Sequence, residues 1–201
     1  MGKQLSVVAQ RFFTTARDVG ALKLDGGPFK TKAGRQSPYF LNMGGFGKSS
    51  VALWRLSEIY GMAVRGSEVE YDHLLGPAYK GIGLGQGLAI ELGRHGIDVG
   101  FTYNRKEAKD HGEGGILVGP PMKGKRVLVV DDVISAGTAL QESTQMITQA
   151  GGEVAGLVVA LDRQETMVKN GVVSERSAVD EVRASGVPVI AVATLDDLMM
   201  Y

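Results

Sequence analysis

Several features that define other classes of protein are missing from this sequence. It has no cysteine, which excludes disulfide bridges and thiolate chemistry. Its apolar runs stay well below the roughly 18 residues of a membrane-spanning helix, and its first residues, MGKQLSVVAQRFF, lack the apolar core of a signal peptide. The formal net charge is zero, whereas a non-specific nucleic-acid binder is usually basic. The three histidines, His73, His95 and His111, lack metal-ligand spacing. These absences favour a cytoplasmic enzyme or binding protein without a nucleic-acid or membrane partner.

The order of the elements that can be predicted indicates an α/β fold. From Tyr71 onward, short apolar strands alternate with helices, which predicts a mostly parallel central sheet flanked by helices. Residues 4–19 and 49–64 have the apolar spacing of amphipathic helices. Between them, short strands broken by glycine and proline predict a small N-terminal hood over about 20–45. The chain 1–201 is expected to form a single domain.

The later elements follow from the spacing of apolar residues. The predicted strands cover residues 71–75, 99–103, 127–130, 154–161 and 187–193. The predicted helices cover residues 82–94, 138–149, 178–184 and 195–201, and a polar loop is predicted over 104–115.

The segment VLVVDDVISAGTAL, residues 127–140, places two carboxylates directly after a buried strand. Ligands of open α/β sheets bind at the carboxyl ends of the strands. The small residues that follow Asp131 and Asp132 open a helix, and a helix N-terminus favours phosphate. The two acids would repel phosphate but accept hydrogen bonds from hydroxyl groups, and a helix cap alone would need only one of them. The segment therefore predicts a site for a ribose 5-phosphate.

Two other loops carry residues that suit a phosphorylated ligand. The loop 76–81, GPAYKG, places Tyr79 and Lys80 between a strand and a helix, although an ordinary connection fits it equally well. The loop 103–115, YNRKEAKDHGEGG, is either a solvated surface loop with local ion pairs or a mobile set of cations for a polyphosphate. Glycine-rich stretches elsewhere each lack a residue that a nucleotide-binding motif requires, so ATP and NAD binding are not predicted.

Taken together, these segments resemble the orotate phosphoribosyltransferases. The segment 127–140 is similar to the phosphoribosyl pyrophosphate (PRPP) signature of type I phosphoribosyltransferases, which several nucleobase enzymes share. The more selective matches are TKAGRQSPYFLN (31–42), GPAYKGI (76–82), NRKEAKDHGEGG (104–115) and LDRQE (161–165). The resemblance implies the type I phosphoribosyltransferase fold. It also implies the Mg²⁺-dependent reaction of orotate with PRPP to orotidine 5′-phosphate and pyrophosphate, a step of de novo pyrimidine (UMP) biosynthesis.

The resemblance also implies a role for each matching residue. The implied catalytic residues are Lys106, Arg105, Asp131 and Asp132. The implied PRPP-binding residues are Tyr79, Lys80, Arg105, Lys106, Lys109, His111, Asp131, Asp132, Val133, Ile134, Ser135, Ala136, Gly137, Thr138 and Ala139. The implied orotate-binding residues are Lys32, Phe40, Leu41, Ser135 and Arg163, with the guanidinium of the last suited to the orotate carboxylate. No direct protein ligand of Mg²⁺ is implied, because this ion usually keeps several waters and is held here mainly by PRPP.

The same resemblance implies that the basic loop, residues 104–115, reaches into the active site of a neighbouring subunit, so that the working unit is a homodimer. The resemblance further implies that the bond from C1′ to pyrophosphate breaks early and leaves an oxocarbenium-like sugar. The sequence departs from the family pattern at two positions that affect contacts with the ligand. Ser135 stands where threonine is frequent in the family, and Leu41 stands where a second phenylalanine is common.

Two competing functions remain beside this one. The first is the same fold acting on another base, such as a purine, which would not need Lys32, Arg163 or the segment 31–42. The second is a PRPP-sensing regulator, which should lack the basic loop or carry a DNA-binding extension. Lys106 is present and no basic extension is found in the sequence.

Overall fold

The computed structural model describes residues 4–30, 36–109, 115–134, 138–169 and 172–201. The helices are α1 (Val7–Asp18), α2 (Ser50–Arg65), α3 (Lys80–Arg94), α4 (Thr138–Gln149), α5 (Ala178–Ala184) and α6 (Leu195–Met200), with a 3-10 helix over Met43–Lys48. The strands are β1 (Leu22–Lys23), β2 (Phe29–Lys30), β3 (Gln36–Ser37), β4 (Phe40–Leu41), β5 (His73–Gly76), β6 (Gly100–Lys109), β7 (Gly115–Val118), β8 (Arg126–Val130), β9 (Glu153–Asp162), β10 (Thr166–Lys169), β11 (Val172–Ser177) and β12 (Val189–Thr194). None of the helices in these ranges is long and apolar enough to cross a bilayer.

The centre of the fold is a six-stranded sheet in the order β12-β9-β8-β5-β6-β7. Every neighbouring pair is parallel except β6 and β7, which run antiparallel. Strand β8 lies between β5 and β9, and Val127–Val130 are completely buried. An uninterrupted apolar run is what a strand covered on both faces requires.

Side chains alternate between the two faces of the sheet along each strand. Apolar side chains lie on both faces, so helices cover both. On one face, Leu128 and Val130 belong to a core that includes Phe12 of α1, Ile59 of α2 and Leu88 of α3. On the other face, a second core joins strand residues to side chains of α4 and α5; its members include Val127, Val129, Ile147 and Val182. Full burial of each such side chain contributes about 1.5–3 kcal/mol to folding.

Short antiparallel pairs form the region between α1 and the 3-10 helix. Strand β1 pairs with β4, where Leu22 faces Leu41, and β2 pairs with β3. The rings of Phe29 and Phe40 lie 5.6 Å apart. These contacts fix the position of Phe40 and Leu41 beside the sheet.

The predicted loop over 104–115 is wrong for residues 104–109. Strand β6 continues to Lys109 and pairs with β7, with Asn104 opposite Leu117 and Lys109 opposite Gly115. We call residues 104–109 together with β7 the basic ribbon. The sequence does not indicate this strand. A ribbon at the edge of a sheet needs backbone pairing but no buried face, so its residues need not show the apolar alternation of a strand. The antiparallel pair β10–β11 was likewise not predicted.

Candidate active site

The carboxyl ends of β5, β8 and β9 meet at one edge of the sheet, and most of the predicted site residues follow these ends. Asp131 and Asp132 come directly after β8, the loop 76–81 connects β5 to α3, and Arg163 follows β9. The structure joins two of these loops through an ion pair between Lys80 Nζ and Asp132 Oδ2. The site is therefore assembled from segments that are far apart in the chain.

The two adjacent acids have a rigid backbone. The Asp131 N–H donates to the Val158 carbonyl at 3.0 Å, and the Ala160 N–H donates to the Asp132 carbonyl at 2.8 Å. These bonds extend the β8–β9 pairing past the end of β8. On the other side, the Tyr60 hydroxyl of α2 donates to the Asp131 carbonyl at 2.9 Å. The backbone of both acids is thus held by the sheet and, at Asp131, by a buried tyrosine of α2.

The electrostatic surroundings of the two acids differ. Asp132 is 7% exposed and is paired with Lys80. Burial raises the pKa of Asp131 to about 6, with a smaller raising effect from the Asp132 charge, while the Asp132 N–H and Lys80 lower it. The Asp132 N–H donates to Asp131 Oδ1 at 2.8 Å, which fixes the orientation of this carboxylate. Asp131 is therefore an acceptor whose charge changes close to neutral pH.

The loop 76–81 is packed too tightly for side chains at its two ends. A Cβ on Gly76 would lie 2.3 Å from the Gly81 carbonyl oxygen, and one on Gly81 would lie 2.6 Å from the Val130 carbonyl oxygen. The Ala78 N–H donates to Asn104 Oδ1 at 2.8 Å, which ties the loop to β6. The Ala78–Tyr79 peptide bond is cis. This geometry carries Lys80 to the end of β8.

The basic ribbon stands beside that loop. The Lys106 ammonium lies 5.6 Å from the centroid of the Tyr79 ring, which is 73% exposed. Arg105 donates to the Gly115 carbonyl at 3.5 Å, across the ribbon. Lys109 is the last residue of β6. Within one chain, the ribbon therefore brings the Lys106 cation next to the loop that carries Lys80.

Arg163 lies in the loop after β9 and under the hood. Its guanidinium carbon is 5.7 Å from the centroid of the Tyr39 ring, and its Nη1 is 3.9 Å from Glu165 Oε1. Its Nε is buried and has no hydrogen-bond partner among the described residues. Phe40 is 40% exposed beside Phe29, whereas Leu41 packs against the core. A planar cation and an exposed aromatic ring are thus available for a flat, acidic ligand.

The remaining predicted residues divide into two groups. Val133 and Ile134 are partly buried and pack against the two cores, and Thr138 and Ala139 open α4. Five predicted residues lie outside the described residues: Lys32, His111, Ser135, Ala136 and Gly137. The predictions for these five stay predictions.

Sequence reasoning missed several residues that shape this site. Tyr60 bonds to the backbone of Asp131, and the Tyr39 ring lies beside Arg163. Asn104 bonds to the 76–81 loop. The partners of these residues lie far away in the sequence, and the pattern around each residue gives no sign of the contact. A contact of this kind becomes visible only in three dimensions.

The class of protein follows from this geometry and from comparison with known proteins. A phosphoribosyl transferase domain model matches residues 57–189, which include the 76–81 loop, the basic ribbon, both acids and Arg163. The type I phosphoribosyltransferase fold predicted from the sequence is confirmed, with its mostly parallel sheet flanked by helices.

Individual relatives narrow this class. An orotate phosphoribosyltransferase of Cupriavidus metallidurans is 50% identical over 96% of this chain and 85% of its own length. One of Chromobacterium violaceum is 50% identical over 98% of this chain and 88% of its own length. The crystal structure of the Francisella tularensis orotate phosphoribosyltransferase superposes with a TM-score of 0.83 at 36% identity, covering 94% of this chain and 88% of that one. The chain belongs to the orotate phosphoribosyltransferase family, as its motifs predicted.

Proposed function

We propose that the protein transfers the 5-phosphoribosyl group of PRPP to orotate, giving orotidine 5′-phosphate and pyrophosphate in pyrimidine biosynthesis. The observation that carries this proposal is the 50% identity to an orotate phosphoribosyltransferase over 96% of the chain. The planar guanidinium of Arg163, which lies beside the Tyr39 ring, supports it, because orotate is flat and carries a carboxylate. A purine would have no charge for Arg163 to bind.

The roles of individual residues in this reaction are part of the proposal. Asp131 and Asp132 accept hydrogen bonds from the ribose hydroxyls, and the segment 133–139 binds the 5′-phosphate at the start of α4. Tyr79 and Lys80, with the cations of the basic ribbon and His111, bind the pyrophosphate. Arg163 binds the carboxylate of orotate, while Lys32, Phe40, Leu41 and Ser135 contact its ring.

The same residues account for the rate of the reaction. As the bond between C1′ and pyrophosphate breaks, positive charge develops on the sugar and negative charge on the leaving group. Arg105, Lys106 and Lys80 therefore bind the transition state more tightly than the ground state. The carboxylates of Asp131 and Asp132 hold the ribose while the orotate nitrogen attacks from the opposite face.

Mg²⁺ belongs to this proposal as the ion that neutralises the diphosphate charge. No group of three or more acidic or histidine side chains that could hold a metal lies within the described residues. Asp131 and Asp132 are nevertheless oxygen donors of the type that Mg²⁺ prefers. Because Mg²⁺ usually keeps several waters, it would be held mainly by PRPP oxygens and water, and Asp131 and Asp132 would orient that water.

A homodimer is the proposed working unit, with the basic ribbon of one subunit serving the site of the other. An apolar groove of about 490 Å³ runs between α2 and α3 and ends at Tyr79 and Lys80. Leu53 and Trp54 are about half exposed on α2, and Ile90 is more exposed on α3. Exposed apolar side chains grouped in this way are typical of an interface between subunits. The groove reaches Tyr79 and Lys80 of the candidate site, so a second copy seated on it would lie beside that site.

Replacing Leu53 by glutamate should dissociate this dimer. The glutamate would place an unpaired charge in the interface, which weakens association strongly. Sedimentation velocity should show the variant as a monomer, with orotate turnover reduced because the partner's ribbon is lost. The matched control is Leu24→Glu, an exposed leucine outside the groove, which should leave the sedimentation coefficient unchanged. A variant that sediments like the wild type would contradict an interface on α2 and α3.

The pKa of Asp131 predicts a pH dependence of PRPP use. Since burial raises this pKa to about 6, the carboxylate that accepts the ribose hydroxyls is lost as the pH falls through 6. The kcat/KM for PRPP should therefore fall about tenfold per pH unit below that value.

The effect of the Asp131 carboxyl group on stability has the opposite sign. A raised carboxyl pKa favours the folded state at low pH, and this contribution is lost as the pH rises through about 6.

The control for this pH profile is Asp131→Asn. Phosphate groups of PRPP also titrate near pH 6, so part of the acid limb could belong to the substrate. The variant should be slower at neutral pH. Its kcat/KM should also lose the part of the decrease at low pH that is due to Asp131. An identical limb in both proteins would show that the substrate alone causes it.

The test of the proposed function is the loss of orotate absorbance on incubation with PRPP. We expect consumption that requires both PRPP and Mg²⁺. Binding of PRPP in a separate titration, without any use of orotate, would instead indicate another base or a sensor. We further propose a cytoplasmic location, and a single domain over 1–201 with the hood at about 20–45.

A further inference from the structure

The backbone beside Arg163 adopts an unusual conformation. Gln164 has a φ of +50°, and it is the only residue other than glycine with a positive φ among the described residues. Side chains other than glycine, asparagine and aspartate rarely adopt this left-handed conformation, and it persists only where the surroundings impose it. Such residues cluster at binding sites. Contacts around Gln164 must therefore hold it in place.

Two aspartates hold it from opposite sides. The Gln164 N–H donates to Asp162 Oδ1 at 2.9 Å, and Asp162 is only 3% exposed. The Gln164 side chain reaches Asp196: its Oε1 accepts from the Asp196 N–H at 2.9 Å, and its Nε2 donates to Asp196 Oδ2 at 3.4 Å. We call the pair of bonds between Gln164 and Asp196 the clamp.

The clamp attaches the loop that follows β9 to helix α6. Asp196 is the second residue of α6, and the first N–H groups of a helix have no partner within the helix. Gln164 supplies that partner for Asp196, while Thr194 supplies it for Asp197 at 3.1 Å. Helix α6 is itself anchored, because the ring of Tyr201 lies 5.5 Å from that of Phe13. The loop is thus fixed to the core through α6.

Arg163 is the residue that this arrangement orients. It lies between Asp162 and Gln164, whose positions are both fixed, and its guanidinium lies beside the buried ring of Tyr39. A guanidinium binds a carboxylate best through two parallel hydrogen bonds, which require one orientation of its plane. A long side chain held in advance loses less freedom on binding.

We propose that the clamp is a positioning device that sets the affinity of Arg163 for the carboxylate of the substrate base. This inference rests on the proposed function, because it takes Arg163 to be the residue that binds orotate. Gln164 and Asp196 are positioning residues and need not touch the base. The C-terminal helix of the described chain thereby contributes to recognition of the substrate.

The test is the variant Gln164→Asn. Asparagine tolerates the left-handed conformation but is one methylene shorter, so the backbone is kept while the clamp is lost. The KM for orotate should rise about tenfold, whereas the KM for PRPP and kcat stay close to wild type. The matched control is Gln145→Asn, the same change at an exposed position of α4, which should alter none of these values.

A second readout separates positioning from a general loss of stability. Wild type should prefer orotate to its 6-carboxamide analogue, which lacks the negative charge. In Gln164→Asn this preference, as a ratio of kcat/KM values, should shrink by about the same tenfold factor. An orotate KM and a preference equal to those of the wild type would overturn the proposal, whatever happens to the melting temperature.

The variant Arg163→Leu distinguishes failure of the clamp from failure of the proposed function. If it loses orotate binding in calorimetry but retains PRPP binding, the role of Arg163 stands, and only the result for Gln164→Asn decides the clamp. If it binds orotate like the wild type, Arg163 is not the carboxylate-binding residue and both proposals about this loop fail.

Discussion

Replacing Lys106 by alanine should lower orotate turnover at least about a hundredfold, the usual loss when one charge-stabilising donor is removed from an active site. In the proposed dimer, Lys106 of one subunit binds the leaving pyrophosphate in the site of the other; within its own chain its ammonium lies 5.6 Å from the centroid of the exposed Tyr79 ring. Because the negative charge on the pyrophosphate grows during the reaction, the loss should appear mainly in kcat. The KM for orotate should change little, since the residue is not proposed to contact the base.

The measurement is the orotate absorbance assay at saturating PRPP and Mg²⁺. Lys123→Ala is the matched control, because it removes an exposed lysine that precedes the opposite end of β8. It should retain wild-type activity. Full activity of Lys106→Ala would leave the reaction assignment intact but would refute the role given to the basic ribbon.

The second large effect is expected on stability, from Gly76→Ala. The new Cβ would lie 2.3 Å from the oxygen and 2.8 Å from the carbon of the Gly81 carbonyl, far inside van der Waals contact. These are backbone atoms of the first turn of α3, so they cannot rotate away as a side chain could. Strand β5 and helix α3 would have to separate, which should lower the free energy of unfolding by about 3 kcal/mol or more.

Urea denaturation measures this change, with Gly93→Ala as the control. Gly93 is an exposed residue of the same helix, and a Cβ there would meet no atom within 4 Å. Alanine should raise stability at that position by about 0.5–1 kcal/mol, because glycine is a poor helix residue. Equal unfolding midpoints for the two variants would mean that the 76–81 loop can relax around a methyl group.

The parts of the site that could be predicted are those with a local cause. Asp131 and Asp132 follow an apolar strand and precede a helix, so their place at the edge of the sheet could be read from their neighbours. The central strands and most helices were predicted for the same reason, since their apolar spacing is set by burial.

The remaining features depend on contacts between distant residues. Lys80 and Asp132 are 52 positions apart, and nothing near either residue indicates that they pair. Gln164 and Asp196 are 32 apart. The strand over 104–109 was missed because its partner strand supplies backbone bonds to residues whose side chains are polar.

The ion pair between Lys80 and Asp132 affects which molecules can bind at the site. In the free protein each of these groups is the counter-ion of the other. Free pyrophosphate could attract Lys80 but would leave the nearly buried Asp132 carboxylate without a partner, which is costly. In the proposed binding mode, PRPP brings a diphosphate for the lysine and hydroxyls for the acid, so it replaces both partners of the ion pair that it breaks. We therefore expect free pyrophosphate to bind the protein more weakly than PRPP does.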